Sequence, residues 1–343
     1  MDIEFHYYIT YLIAKQAELG NQEAHTVAHA CQYVDDNDIS FEVDKDQATY
    51  YRNYISQTMN ILKPKRKLFR IYPVFHFIPG DPLEPDASRK DGRLHWLNTT
   101  AGSPNAGKIM DAALAGGDLY RIGIGLHGYA DTWAHQNFVG YWEEFNSLKG
   151  PLEKLIPNIG HAEAGHHPDI PSLVWYDPRL LKGRVENNQR FLAAARAMLD
   201  KLLDHTNPNI SKKARQEKQD ALAQDLTWAL GGRDQVLEEQ TVRLARYQEL
   251  STRTAYGASE IPAYDPDDWF DAVVNEKVRG LRDRSDLQLI RWDPLTDVYT
   301  WKDRTTYQTR DWFRFQEAVK AHQEETLAIL MQSNLANLEL PEF

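Results

Sequence analysis

The segment LHGYADTWAHQNF (126–138) spaces His127, Asp131 and His135 four residues apart. At about 100° per residue, three such positions drift by about 40° per step and share one helix face. Neutral imidazole nitrogen and carboxylate oxygen are the donors that zinc and similar ions take. The competing reading of the same spacing is a hydrogen-bonded polar face. Other histidines favour the metal. His76 stands in the apolar stretch YPVFHFIPG, where a buried imidazole needs a partner. His6 lies between Phe5 and Tyr7, and GHAEAGHHPD brings His161, His166 and His167 close to Asp169 before a PDIP turn. Ten of the 12 histidines precede residue 168, which assigns the site to the N-terminal half.

Asp35 and Asp36 end a predicted helix, where two carboxylates oppose the macrodipole and a nearby cation would relieve the conflict. An exposed acidic helix end is the alternative. His25, His29 and Asp36 share one face of that helix while Asp35 points elsewhere, so which aspartate faces the site stays open. His25 and His29 themselves read as a polar or packing face.

The elements that must carry these groups are mostly helical. Apolar spacing of three to four residues predicts helices over 3–19, 22–36, 46–62 and 108–146. The stretch 68–80 reads as a strand or a buried extended segment, and 79–107, rich in Pro, Gly, Asp, Ser and Asn, as a long loop. Beyond about residue 184, amphipathic patterns predict helices in 190–205, 214–230, 234–250, 268–282 and 310–337, with a hairpin in 292–307. The expected fold class is all-α: a metal-site helical core over 1–180, with a C-terminal helical region over 181–343 packed on it as one continuous domain.

With 343 residues, 42% of them hydrophobic and 26% charged, the chain is neither a disordered polymer, nor a collagen-like repeat, nor a disulfide scaffold. Its net charge of -11 does not favour a surface for nucleic-acid phosphates. Cys31, the single cysteine, cannot form an internal disulfide, which fits a reducing compartment. The start MDIEFHYYITYLIAKQ reads as mature sequence, not as a signal peptide, and the apolar runs are too short to span a bilayer. The protein is expected to be cytoplasmic as synthesised, with export without a signal peptide left open.

In order along the chain, His6, YVDDN (33–37), FHFIPGDP (75–82), HGYADTWAH (127–135) and GHAEAGHHPD (160–169) resemble the zinc-dependent phospholipase C family and the related single-strand-specific nucleases, closest to a bacterial branch. The likeness covers about residues 1–170. It implies an all-α phosphoesterase with two or three zinc ions. The first would take Asp35, or Asp36 in its place, with His76, His127 and Asp131. The second would take His135, His161 and a later group, Asp169 before Glu163 or His166. The third would take His6, with Asp131 bridging and the Met1 amine at the family's offset. Clustered divalent ions would stabilise phosphodiester charge and bring a water's pKa toward neutrality, with Asp35 and Asp131 in the catalytic roles and Asp35 as general base.

The four-residue gap between Asp131 and His135 and the acidic charge favour a lipid phosphoester over nucleic acid. Trp133, Phe138, Tyr141 and Trp142 would form an apolar groove or simply core. Arg93, His95 and Trp96 would frame the substrate or be ordinary surface. A nuclease of the same superfamily is one alternative, and a non-catalytic metal-binding interaction protein is another. The C-terminal half would cap the site or mediate assembly; a secretion-system or immunity partner is left open.

Overall fold

The computed structural model describes residues 1–58, 70–140, 143–148, 160–231, 239–277 and 298–333. The chain starts with a wide π-helical turn, Glu4–Ile9, that runs into α1 (Thr10–Gln16). There follow α2 (Asn21–Asp36), α3 (Pro104–Ala115), α4 (Leu119–Ala134), α5 (Asn187–Thr206), α6 (Lys212–Leu230), α7 (Gln240–Ser251), α8 (Asp268–Val273) and α9 (Asp311–Met331). Local chemistry starts the helices that matter most. The Asp118 carboxylate accepts Tyr120 N–H at 2.8 Å to cap α4, and Ser103 Oγ accepts Ala106 N–H at 3.2 Å ahead of Pro104 in α3. The Glu23 carboxylate accepts the Gly20 N–H at 2.8 Å at the start of α2.

The central packing is α2 against α4, and it depends on glycine. A Cβ on Gly123 would stand 2.5 Å from the Val27 carbonyl oxygen and 2.6 Å from Ala30 Cβ. On Gly128 it would stand 2.9 Å from the Phe75 carbonyl oxygen. Glycine is unfavourable inside a helix, yet these two let α2 and the 72–76 turn approach α4 closely. One apolar core then runs from Phe5, Leu12 and Val27 through Leu126 and Ala130 to Leu199, Leu226, Tyr247 and Leu330. The N-terminal and C-terminal regions therefore share a core.

The fold is helix-rich but not all-α. Strands β1 (Glu42–Val43), β2 (Tyr51–Arg52), β5 (Val274–Lys277) and β6 (Val298–Trp301) form a small sheet in the order β2-β1-β6-β5, and β3 (Val174–Tyr176) pairs with β4 (Arg184–Glu186). The helix expected over 46–62 is replaced through residue 58 by a turn and β2; residues 59–62 lie outside the described residues. Asp44 and Asp46 take positive φ there, and Arg304 holds the Asp44 carboxylate at 2.6 and 2.9 Å, which fixes the turn.

The helix expected over 268–282 stops at Val273. Its continuation is β5, paired antiparallel with β6 from Val274–Trp301 to Lys277–Val298; residues 278–282 are outside the described residues. Of the hairpin expected over 292–307, Val298–Trp301 forms β6, whose aromatic and β-branched residues suit a strand, and residues 292–297 lie outside the described residues. The helix expected over 108–146 breaks at Gly116 and Gly117, the latter at φ +63°, and ends at Ala134. Within 68–80 the chain makes a π-helical turn, Tyr72–His76, where a strand or extended segment was expected. Among the described residues no helix is long and apolar enough to cross a membrane.

Candidate metal centre

Both π-helical turns carry a histidine of the site, His6 in the first and His76 in the second. Such widened turns re-aim side chains and recur at functional positions. Together with α2 and α4 they bring the predicted donors into three adjoining groups.

In the first group, Asp35 Oδ1 lies 3.7 Å from both His76 Nδ1 and His127 Nε2. Asp131 Oδ2 lies 3.4 and 3.3 Å from the same two nitrogens, which stand 3.0 Å apart. The far nitrogens are already engaged: His127 Nδ1 donates to the Cys31 carbonyl at 2.8 Å and His76 Nε2 to the Ser56 carbonyl at 3.0 Å. When neutral, as a metal ligand must be, each ring turns a lone pair inward, toward the other ring and two carboxylates. In the second group, His135 Nδ1 donates to the His76 carbonyl at 2.8 Å and His161 Nδ1 to the Gly165 carbonyl at 2.8 Å. Their Nε2 atoms face Asp169 Oδ1 and Oδ2, each at 3.4 Å. In the third, His6 Nε2 and the Met1 amine approach Asp131 Oδ1 at 3.2 and 2.5 Å, and the amine is 3.4 Å from Asp169 Oδ1. His6 Nδ1 contacts Cys31 Sγ at 3.6 Å.

These residues fit cations. His6 Nε2 and Asp169 Oδ1 are buried and complete no well-formed hydrogen bond, although Asp131 Oδ1 stands 3.2 Å from the first and the Met1 amine and His135 Nε2 each 3.4 Å from the second. Donors about 2.0–2.1 Å from one tetrahedral zinc ion stand about 3.3 Å from one another, close to the spacings above. Histidines with the remote nitrogen on a carbonyl are what a metal's supporting shell supplies.

Electrostatics point the same way. Burial works against a charge on His127, yet Asp35 and Asp131 outweigh it and raise its pKa well above the usual imidazole value. Burial likewise opposes the Met1 ammonium, and Asp131, Asp169 and Asp35 lift it to about 11. Asp131 and Asp169 are held below the usual carboxylate range: burial would raise them, and His135, the Met1 amine and the neighbouring histidines prevail. His6 is pushed down to about 3, first by burial and then by His127. The carboxylates of the pocket thus favour positive charge beside them.

Adjacent Asp35 and Asp36 part ways. Asp35 faces the first group, whereas Asp36 Oδ2 accepts from Tyr264 Oη at 2.6 Å and Gln32 Nε2 at 3.1 Å, so Asp36 is not brought to the cluster. Glu163 turns away to Leu148 N–H at 2.8 Å, and His166 is exposed, which leaves Asp169 with His135 and His161. His29 stacks on Trp269 at 3.9 Å, and His25 packs edge-on to it at 5.8 Å, outside the cluster. Trp133 and Phe138 are core residues, Arg93 and Trp96 stand in solvent, and the His95 ring packs against Phe145 at 5.3 Å. Tyr141 and Trp142 lie outside the described residues.

Sequence reasoning missed Cys31: its carbonyl orients His127 and its thiol touches His6, roles that a lone buried cysteine does not advertise. Asp35 also opens onto a groove of about 150 Å³, whose walls include Tyr33, Asp38, Phe41, Asp267 and Glu276.

No curated protein and no solved structure matches the chain. One family profile matches residues 1–330. With nearly its whole length covered, the protein belongs to that family, DUF6765, a family of unknown function.

Proposed function

We propose that this protein is a zinc-dependent phosphodiesterase that hydrolyses a phospholipid or related phosphoester in the manner of phospholipase C. The observation that carries the reading is the pair of inward lone pairs on His76 and His127, 3.0 Å apart and flanked by the Asp35 and Asp131 carboxylates. Asp35, His76, His127 and Asp131 would hold one ion, His135, His161 and Asp169 a second, and His6, the Met1 amine and Asp131 a third. Bound zinc supplies Lewis acidity toward phosphoryl oxygens and makes water a usable nucleophile near neutral pH.

The chain's own residues do the rest. Asp131 ties the three groups together through two oxygens. Asp35, 28% exposed at the groove, takes the proton from the attacking water on a carboxylate oxygen. The buried histidine rings exclude bulk water from one side of the site. The groove beside Asp35 carries Asp36, Asp38, Asp267, Asp271 and Glu276. The formal net charge of -11 across the chain disfavours the phosphates of a polynucleotide, which supports lipid over nucleic acid as substrate. Synthesis in the cytoplasm accords with the free, buried Cys31.

Elemental analysis of the purified protein, paired with a chelator-sensitive assay on a phosphocholine ester and on single-stranded DNA, tests the proposal. Bound zinc with ester hydrolysis abolished by chelation is expected. Less than one equivalent of metal and no turnover on adding zinc would overturn it, and cleavage of DNA alone would move the substrate to nucleic acid.

A further inference from the structure

The site depends on the first six residues of the chain lying still. Chain ends fray unless something ties them down, yet here the Met1 amine is held 2.5 Å from Asp131 and His6 Nε2 3.2 Å from the same oxygen. Glu4, between them in sequence, has no exposed surface. Its carboxylate accepts a fork from Arg243, Nε at 2.7 Å and Nη2 at 2.6 Å, and a third bond from Tyr247 Oη at 3.2 Å. Arg243 and Tyr247 are themselves buried and both stand on α7, more than two hundred residues along the chain. The turn that Glu4 begins is closed by the Glu4 N–H on Asp2 Oδ1 at 3.1 Å and by the Phe5 and His6 N–H groups on the Asp2 carbonyl, each at 3.0 Å.

We propose that Arg243 is a positioning residue for the third group of the cluster: its fork on Glu4 fixes the N-terminal turn so that the Met1 amine and His6 Nε2 meet Asp131. A bidentate guanidinium–carboxylate pair fixes orientation as well as distance, which a lysine cannot do. A buried pair needed only for stability could be replaced by apolar packing, and α7 already offers Tyr247 and Leu250 to the core. The α7 segment thereby acts on the N-terminal site without touching it. The consequence for metal rests on the proposed zinc reading; the consequence for the amine does not.

Two readouts separate these. Metal-free protein is treated with acetic anhydride and the acylation rate of the Met1 α-amine is followed by mass spectrometry; zinc alone is then titrated into untreated protein. In Arg243→Lys, which keeps the buried charge and loses the fork, amine acylation is expected to rise at least about tenfold, because a locally opened turn exposes the amine. One zinc equivalent is expected to be lost while the others keep their affinity. Tyr247→Phe, which leaves the fork intact, is expected to raise acylation by about twofold or less. An unchanged acylation rate in Arg243→Lys overturns the proposal. Equal weakening of every zinc equivalent also overturns it, since general loosening would do that. If the wild-type protein takes up no zinc, the zinc reading falls, and the amine rate alone decides the role of Arg243.

Discussion

His127 Nε2 and His76 Nδ1 face each other across 3.0 Å while the far nitrogen of each ring donates to a backbone carbonyl. Between neutral rings the two lone pairs oppose each other, and neither ring can turn away without breaking its carbonyl bond. A cation between them converts the opposition into attraction. Zinc is therefore expected to raise the melting temperature by several degrees, and chelation to reverse it. At a thousandfold excess over Kd, linkage supplies about 4 kcal/mol. Calorimetry with and without chelator, at fixed pH, measures this.

Asp131 is the shared hub, and its loss should differ from loss of any histidine. In metal-free protein its Oδ1 is the nearest counter-charge to the buried Met1 ammonium, at 2.5 Å. Asp131→Asn keeps the volume and leaves that ammonium to the more distant Asp169 Oδ1, at 3.4 Å. A destabilisation of about 3–5 kcal/mol is expected in the absence of metal, the cost of breaking a buried pair by removing one partner. Denaturant unfolding of the apo variant reads it directly.

The same glycine substitution should have opposite signs at two places. At Gly107, inside α3, a Cβ would approach nothing nearer than Lys201 Nζ at 3.9 Å. Gly107→Ala is expected to stabilise by up to about 1 kcal/mol from helix propensity alone. At Gly123 the added Cβ would meet the Val27 carbonyl oxygen at 2.5 Å, and α2 must move away from α4. Gly123→Ala is expected to cost about 1–3 kcal/mol, and to weaken zinc binding because Asp35 travels with α2. Thermal melts and a zinc titration of both variants check the contrast.

That contrast also marks what the sequence could and could not reveal. The 127/131/135 spacing is a local helical fact, so periodicity alone placed those three groups together. His76 and His161 were conspicuous because an imidazole in an apolar run or a dense polar turn has few local partners. The Asp35/Asp36 ambiguity was a question of helix phase, and the structure resolves it through Tyr264, a residue more than two hundred positions away that pairs with Asp36. The sheet escaped notice for a related reason. β1, β2, β5 and β6 are too short to show an alternating pattern, and pairing Val43 with Tyr299 is a tertiary event. The glycines of RIGIGLHGYAD read as weak helix formers until the close approach of α2 and of the Phe75 carbonyl gives them a purpose.

His29 should make the fold acid-sensitive. It is 2% exposed, stacked on Trp269 and close to Tyr7, Tyr264 and His25, and burial, with a smaller contribution from His25, pushes its pKa down to about 3. The unfolded chain, at about 6.5, binds this proton more readily than the folded one. The stability tied to a neutral His29 is therefore complete above pH 6.5 and is lost as pH falls toward 3. Between pH 6.5 and 5 the loss amounts to about 1.6 kcal/mol. His29→Phe keeps a ring against Trp269 and cannot be protonated. Its stability relative to wild type is expected to rise by that amount over the same interval, and parallel slopes from pH 6.5 to 5 would refute the assignment.

Asp35 and Asp36 offer the sharpest comparison, since they are neighbours of identical chemistry. Asp35 reaches His76 and His127 at 3.7 Å, whereas Asp36 is tied to Tyr264 and Gln32. Burial, against the bonds from Tyr264 and Gln32, raises the Asp36 pKa, so this carboxylate is a poor candidate for a permanent negative charge beside a cation. Asp36→Asn retains an oxygen that accepts from Tyr264 Oη, and should cost about 1 kcal/mol of stability with zinc content unchanged. Asp35→Asn removes a charged donor and the proposed base together. It should lower affinity for the first ion about tenfold or more and depress hydrolysis further, by about 100-fold or more. Equal effects in the two variants would mean that the helix presents both carboxylates to the cluster in solution, and the assignment of Asp35 as proton acceptor would have to be abandoned.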